Sequence, residues 1–173
     1  MEWAAKHVEP RVIRPAEPGD VPTIVALIKE LATYEREPDA VEATEADLAT
    51  ALFAAEPAVF ALMAELDGDD RHADARDASR TVGFALWFRS FSTWVGRHGV
   101  YIEDLYVRPE FRGQGYGREL FDALVAIADE RGYGRVEWAV LDWNEPAHRF
   151  YEAHGGRRLD AWTTWRLDRT GLQ

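Results

Sequence analysis

Cysteine is absent from the 173-residue chain, which removes disulfides, thiolate zinc sites and a cysteine nucleophile, and is compatible with a reducing compartment. Lysine is nearly absent, occurring only as Lys6 and Lys29 among 20 basic residues. That bias is read as compositional, not functional. No stretch approaches the roughly 18 consecutive apolar residues of a membrane span, and the opening MEWAAKHVEP lacks the apolar run of a signal peptide. The five histidines show no i, i+4 pairing, so none is assigned to a metal. Internal repeats and low-complexity tracts are also missing. The expectation is a soluble cytoplasmic chain with no metal and no membrane segment.

What is present is enough for one core. With 47% hydrophobic residues the chain reads as one globular domain over 11–173, preceded by a short extension at 1–10. The 31 acidic residues outnumber the basic ones and leave a net charge of -11. That charge repels nucleic-acid phosphate and concentrates a cationic ligand, so a small amine fits better than DNA or RNA; it also serves solubility.

Along the chain, RVIRPA at 11–16 alternates as a strand, and Asp20 stands where it can cap a helix reaching about Tyr34. Thr44 and Asp47 have capping-box spacing ahead of a second helix that runs towards Pro57. AVFALMAEL at 58–66 reads as a strand, and the charged, apolar-poor LDGDDRHADARDAS at 67–80 as an exposed hairpin loop. RTVGFALWF and GVYIEDLYV supply two more strands, the second closed by Pro109. A helical stripe then runs from Gly115 to Arg131 and stops at Gly132, RVEWAVL gives a strand, NEPAHRFYEAHGG a short helix capped by Asn144, and RRLDAWTTWRL a last strand. The order β-α-α-β-β-β-α-β-α-β indicates an α/β or α+β sheet.

RGQGYG at 112–117 carries the strongest chemical signal. Glycines between a strand end and a helix start let peptide N–H groups point at an anion, helped by the positive end of the helix, so phosphate is the natural guest. A Walker A loop requires Gly-Lys followed by Ser or Thr, whereas Arg118 and Glu119 follow Gly117. The dinucleotide fingerprint fails in both frames, at Arg118 and at Leu120.

What remains is Arg-Gly-x-Gly-x-Gly preceded by VRPEF. The stretch YIEDLYVRPEFRGQGYGREL resembles motif A of the Gcn5-related N-acetyltransferases, whose loop binds the pyrophosphate of acetyl-coenzyme A. Three blocks narrow the resemblance: VIRPAEPGDVPTIVALIKELATYE, FSTWVGRHGVYIEDLYVRPEFRGQGYG and VLDWNEPAHRFYEAHGG are similar to the diamine and polyamine acetyltransferases and their thialysine-acetylating relatives. STW and AVLDWN look more like the thialysine group, because Ser92 and Thr93 stand where the polyamine group usually carries Asp-Pro. The resemblance implies a mixed central sheet of about six to seven strands flanked by helices and splayed where acetyl-coenzyme A binds, direct transfer in a ternary complex, and a homodimer.

Acetylation of an amine begins from an ammonium with a pKa of about 10.4, and only the neutral form attacks a thioester. Adjacent Glu103 and Asp104 project to opposite faces if their strand is regular, and each disfavours the other's ionisation. The resemblance selects Glu103 as general base, through water, and Tyr151 as the group that protonates the departing thiolate. Tyr106 and Val107 mark the strand end whose N–H groups would meet an oxyanion. Carried over in the same way, the cofactor would be held by Leu105, Tyr106, Val107, Arg112, Gly113, Gln114, Gly115, Tyr116, Gly117, Arg118, Asn144 and Tyr151. Asn144 also suits an N-cap, and both roles can hold. The amine would meet Tyr34, Glu35, Trp94, Glu103 and Asp104, carboxylates pairing with ammonium and the indole with a cation. An amino-acid acceptor would also call for a cation, for which Arg89 and Arg97 are the candidates. Two other readings are an acetyltransferase for an amino-sugar or protein N-terminus, and a coenzyme A sensor without turnover; the presence of both Glu103 and Tyr151 argues against the sensor.

Overall fold

The computed structural model describes residues 11–66 and 80–167. The expected extension at 1–10 and nearly all of the expected loop at 67–80 lie outside the described residues. Two compact units are present, one ending at Trp138 and the other beginning at Ala139.

In the first unit, β1 (Arg11–Pro15), β2 (Phe60–Leu66), β3 (Thr81–Ser92), β4 (Arg97–Val107) and β5 (Val136–Trp138) form a sheet in chain order. The first four strands are antiparallel, and β5 joins β4 in parallel. The sheet is therefore mixed, as expected, but has five strands among the described residues where six to seven were expected. One face carries α1 (Val21–Tyr34) and α2 (Glu45–Phe53), whose Ile24, Leu27, Leu48 and Leu52 cluster with Met63, Phe84, Leu86 and Tyr106. Strand alternation turns Trp87 and Ile102 to the opposite face, where Trp87 stacks on Phe60 at 4.6 Å and α3 (Tyr116–Glu130) contributes Leu120 and Leu124 to the buried residues.

Local chemistry accounts for the helix limits. Thr44 and Asp47 bond reciprocally at the start of α2, the expected capping box. That helix stops at Phe53, short of Pro57, because the amide of Ala54 closes on Thr50 and Ala54 itself is extended. Gly132, at φ 64°, follows α3 in the left-handed conformation that ends helices cheaply. At β1, the Arg14 guanidinium bonds both oxygens of buried Asp20 at 2.7 and 2.9 Å and also bonds Glu65. A buried carboxylate is thus matched by a cation, which ties β1 to β2 and to the entry of α1.

The second unit contains α4 (Glu145–Ala153), with the Asn144 side chain accepting from the Ala147 amide at 3.3 Å. The strand expected at 157–167 is not formed. A strand exists only beside a partner that takes its main-chain bonds, and the only regular element among the described residues of this unit is a helix. Trp165 is 90% exposed and Leu167 67%.

Candidate active site

Two breaks in β4 shape the candidate site. The first is on the β5 side, where pairing covers only Val100, Tyr101 and Ile102, whereas pairing with β3 continues to Val107. β5 is three residues long instead of the seven of RVEWAVL, so Glu103 to Val107 run on beyond their parallel neighbour. This is the expected splay, and it leaves main-chain groups of β4 that point away from β3 without a strand partner among the described residues.

The second break corrects an expectation. Leu86 pairs with Asp104 but Trp87 pairs with Ile102, so Glu103 is an extra residue inserted into β4. The regular alternation assumed for Glu103 and Asp104 does not hold. Ile102 and Asp104 face opposite ways although two residues apart, and Asp104 comes round to the face of α1, where Glu103 would point in a regular strand. The two carboxylates act on each other directly. Burial, reinforced by the charges of Glu103 and Glu35, pushes the Asp104 carboxyl up to about 7. Glu35, immediately after α1, is also raised by burial. Glu103 itself is exposed.

The glycine segment is built into the same edge. Between Val107 and α3 lie a 3-10 turn (Pro109–Phe111) and then Arg112 to Gly115. Gly113 and Gly115 have φ of 73° and 97°, which L side chains rarely adopt. A Cβ on Gly115 would also stand 3.2 Å from the Arg11 guanidinium. Gly115 is the N-cap of α3 and supplies no side chain to its first turn, so those amides keep the anion-facing character of a helix mouth. Glu119 in that turn would oppose an anion, but Arg11 binds its carboxylate and, at 2.7 Å, the carbonyl of Gln114. The residues fit a pyrophosphate at this loop.

Other expected residues divide between backbone and side-chain duties. Tyr106, Val107 and Tyr116 are buried and Leu105 half-buried. The Tyr106 ring belongs to the α1 core, so it can offer a ligand only its peptide group. Arg112 donates to the Val107 carbonyl at 2.9 Å, and its guanidinium lies over Tyr34 at 4.4 Å and Tyr106 at 5.6 Å. The loop is thereby joined to the end of α1 beside Glu35. Gln114 bonds the Glu110 carbonyl, and exposed Arg118 pairs with Asp122.

Trp94 is not brought to this cluster. It lies in the turn between β3 and β4, 87% exposed. Arg97, at the start of β4, is already six residues before Glu103, on the order of 20 Å at ~3.3 Å per residue. Arg89 shares the Trp87 face, where it lines a cavity of about 270 Å³ with Pro57, Ala58, Phe60 and Arg131. Neither arginine stands with the carboxylates. In the second unit, Asn144 is buried at its cap, and the Tyr151 ring meets Phe150 edge-on at 5.0 Å. Burial pushes the Tyr151 phenol up to about 12, which keeps it protonated at neutral pH.

Arg11 and Arg112 are the residues whose structural duties were not anticipated. Arg11 reaches across more than a hundred positions to the loop, and no local pattern announces such a contact. Arg112, expected as a cofactor ligand, also bonds the Val107 carbonyl and covers Tyr34.

Comparison with known proteins gives one family. Residues 24–156 match the model of the acetyltransferase (GNAT) family. The chain is 37% identical to a thialysine N-epsilon-acetyltransferase of Bos taurus, over 91% of this chain and 92% of that protein. It is 33% identical to an L-ornithine N5-acetyltransferase of Arabidopsis thaliana, over 93% and 86% respectively. Among solved structures, an aminoglycoside acetyltransferase from an uncultured soil metagenomic sample superposes with a TM-score of 0.72, covering 91% of this chain and 97% of that one at 18% identity, and shares the fold.

Proposed function

The chain belongs to the acetyltransferase (GNAT) family, and from that membership we propose that it acetylates a small cationic amine, of the thialysine or diamine and polyamine class, at the inserted carboxylates of β4. It is an acetyl-coenzyme A dependent N-acetyltransferase acting on a small-molecule amine. The acceptor class rests on the gathering of Glu35, Glu103 and Asp104 on one edge with Tyr34. Three carboxylates suit a ligand with more than one ammonium, as thialysine and diamines both are. Arg89 and Arg97 stand apart from that edge, so neither argues for an amino-acid acceptor over a diamine.

The residues divide the work as follows. Acetyl-coenzyme A supplies an activated thioester. Gly113, Gly115 and the first turn of α3 hold its pyrophosphate, with Arg11 keeping the loop in shape and neutralising Glu119. The open side of β4 beyond Ile102 offers peptide groups to the pantetheine arm, as an added strand would use them. The N–H groups near Tyr106 and Val107 meet the charge that develops on the carbonyl oxygen. Glu103, at the exposed rim of the bulge, takes the acceptor's proton through water. Tyr151, held neutral, gives a proton to the thiolate as it leaves. The reading also includes a homodimer and a cytoplasmic location. The homodimer is supported by the exposed C-terminal stretch, and no described helix is long and apolar enough to cross a membrane.

A free-thiol assay with thialysine, lysine, ornithine, putrescine, spermidine and spermine tests the class. At least one should accelerate thiol release. Glu103→Gln and Tyr151→Phe should each lower kcat about 10²-fold, the usual scale for a lost proton-transfer group. Silence across the panel would remove the acceptor class, and full activity in both variants would remove the assigned roles.

A further inference from the structure

Glu103 and Asp104 are usually interchangeable on paper, since both are carboxylates at one point of one strand. The bulge makes them unequal. Asp104 pairs with Leu86 on the face of Met63, Phe84 and Tyr106 and is half-buried, while Glu103 remains exposed. We propose that Asp104 is the residue on which the acceptor's proton comes to rest, Glu103 passing it inward from the rim.

The surroundings of Asp104 favour that role. The charges acting on it are both negative, Glu103 from its own strand and Glu35 from the end of α1. The β2, β3 and α2 residues clustered on this face, Ala61, Met63, Phe84, Leu86, Leu48 and Leu52, do not titrate. Of the remaining charged groups at this edge, Arg112 is engaged by the Val107 carbonyl and the two tyrosine rings, and Glu30 is bound by Arg108. Desolvation and like charge therefore act together on one carboxyl, in the direction that favours its protonated form.

The step balances without any further reactant. One N–H bond of the acceptor's ammonium breaks, its electron pair staying on nitrogen, and an O–H bond forms on Asp104 through Glu103 and water. The free amine then forms the C–N bond as the C–S bond breaks; the departing sulfur takes the proton of Tyr151, and the nitrogen's second proton replaces it on the phenol. Asp104 returns its proton to solvent between turnovers. An ammonium near 10.4 loses its proton to an ordinary aspartate with great difficulty. Raising the recipient from 3.8 to about 7 improves that equilibrium about a thousandfold, each pKa unit being tenfold.

This inference rests on the acetyl-transfer reading, and the test separates the two. The pH dependence of kcat/KM is measured for the wild type, Asp104→Asn, Asp104→Glu and Glu103→Gln, using the most active amine of the panel. The wild type should show an acid limb with its midpoint near pH 7. Asp104→Asn should move that midpoint down by at least one pH unit or abolish the limb, and Asp104→Glu should restore it. In Glu103→Gln, removal of a neighbouring charge should slow turnover and move the limb of the residual activity to lower pH. A limb unchanged in Asp104→Asn overturns the proposal, as does one that vanishes only in Glu103→Gln. A ¹³C titration of the Asp104 carboxyl in the wild type reads the same group without turnover. A midpoint near 7 supports the proposal and one below 5 overturns it, even if every amine fails and the acceptor class falls.

Discussion

At the scale of single residues, the bulge in β4 sets half-buried Asp104 apart from its exposed neighbour Glu103. The raised Asp104 carboxyl has a cost as well as a use. Its folded-state value lies above the ordinary 3.8, so its neutral form is favoured on folding; the contribution is complete below pH 4 and lost as pH rises through 7. Asp104→Asn should therefore stabilise the protein at pH 8, by at most about 4 kcal/mol at 1.36 kcal/mol per pKa unit, and have little effect at pH 4. Urea denaturation at the two pH values measures the difference, and an equal effect at both would contradict the assignment. This residue was legible as part of YIED, but its orientation was not. A bulge is a mismatch between two strands, and Glu103 becomes the extra residue only against Leu86 and Trp87.

At the scale of elements, the glycine segment behaves as a joint between β4 and α3 whose shape is kept from β1. Its glycines were readable because left-handed backbone permits few other residues. Its support by Arg11 was not, since β1 lies at the opposite sheet edge in the strand order and only the path of α3 over the sheet brings the loop to it. Gly115→Ala would place a methyl carbon 3.2 Å from the Arg11 guanidinium at a φ of 97°. The expected result is a rise of roughly tenfold or more in the KM for acetyl-coenzyme A, from loss of about 1–3 kcal/mol to backbone strain, with a much smaller change in the amine KM. Steady-state kinetics with each substrate varied separately distinguishes the two; a rise confined to the amine would relocate the loop's function. The helices α1, α3 and α4 were read nearly to their ends, and α2 from its start, because their signals are local, in caps and apolar spacing. Strand lengths were not, because β5 and the 157–167 stretch depend on what stands beside them.

At the scale of the whole molecule, an exposed C-terminal stretch with a strand-like pattern is the surface on which a second copy would be sought. If the homodimer forms there, Trp165→Glu combined with Leu167→Glu should convert it to monomer in light scattering at micromolar concentration, because two charges would be set into an apolar contact. A dimer that survives both substitutions would place its interface elsewhere. By itself the sequence determined the family, the helix frame, the glycine loop ahead of α3 and the acidic pair, since each is encoded by neighbours along the chain. Only the tertiary structure decided which carboxylate is drawn from the solvent-exposed rim onto the face of α1, which arginine supports the loop, where β5 lets go of β4, and that Arg89 and Arg97 stand apart from the carboxylates. Those outcomes depend on register and burial, which arise between segments distant in sequence and exist only once the sheet is assembled.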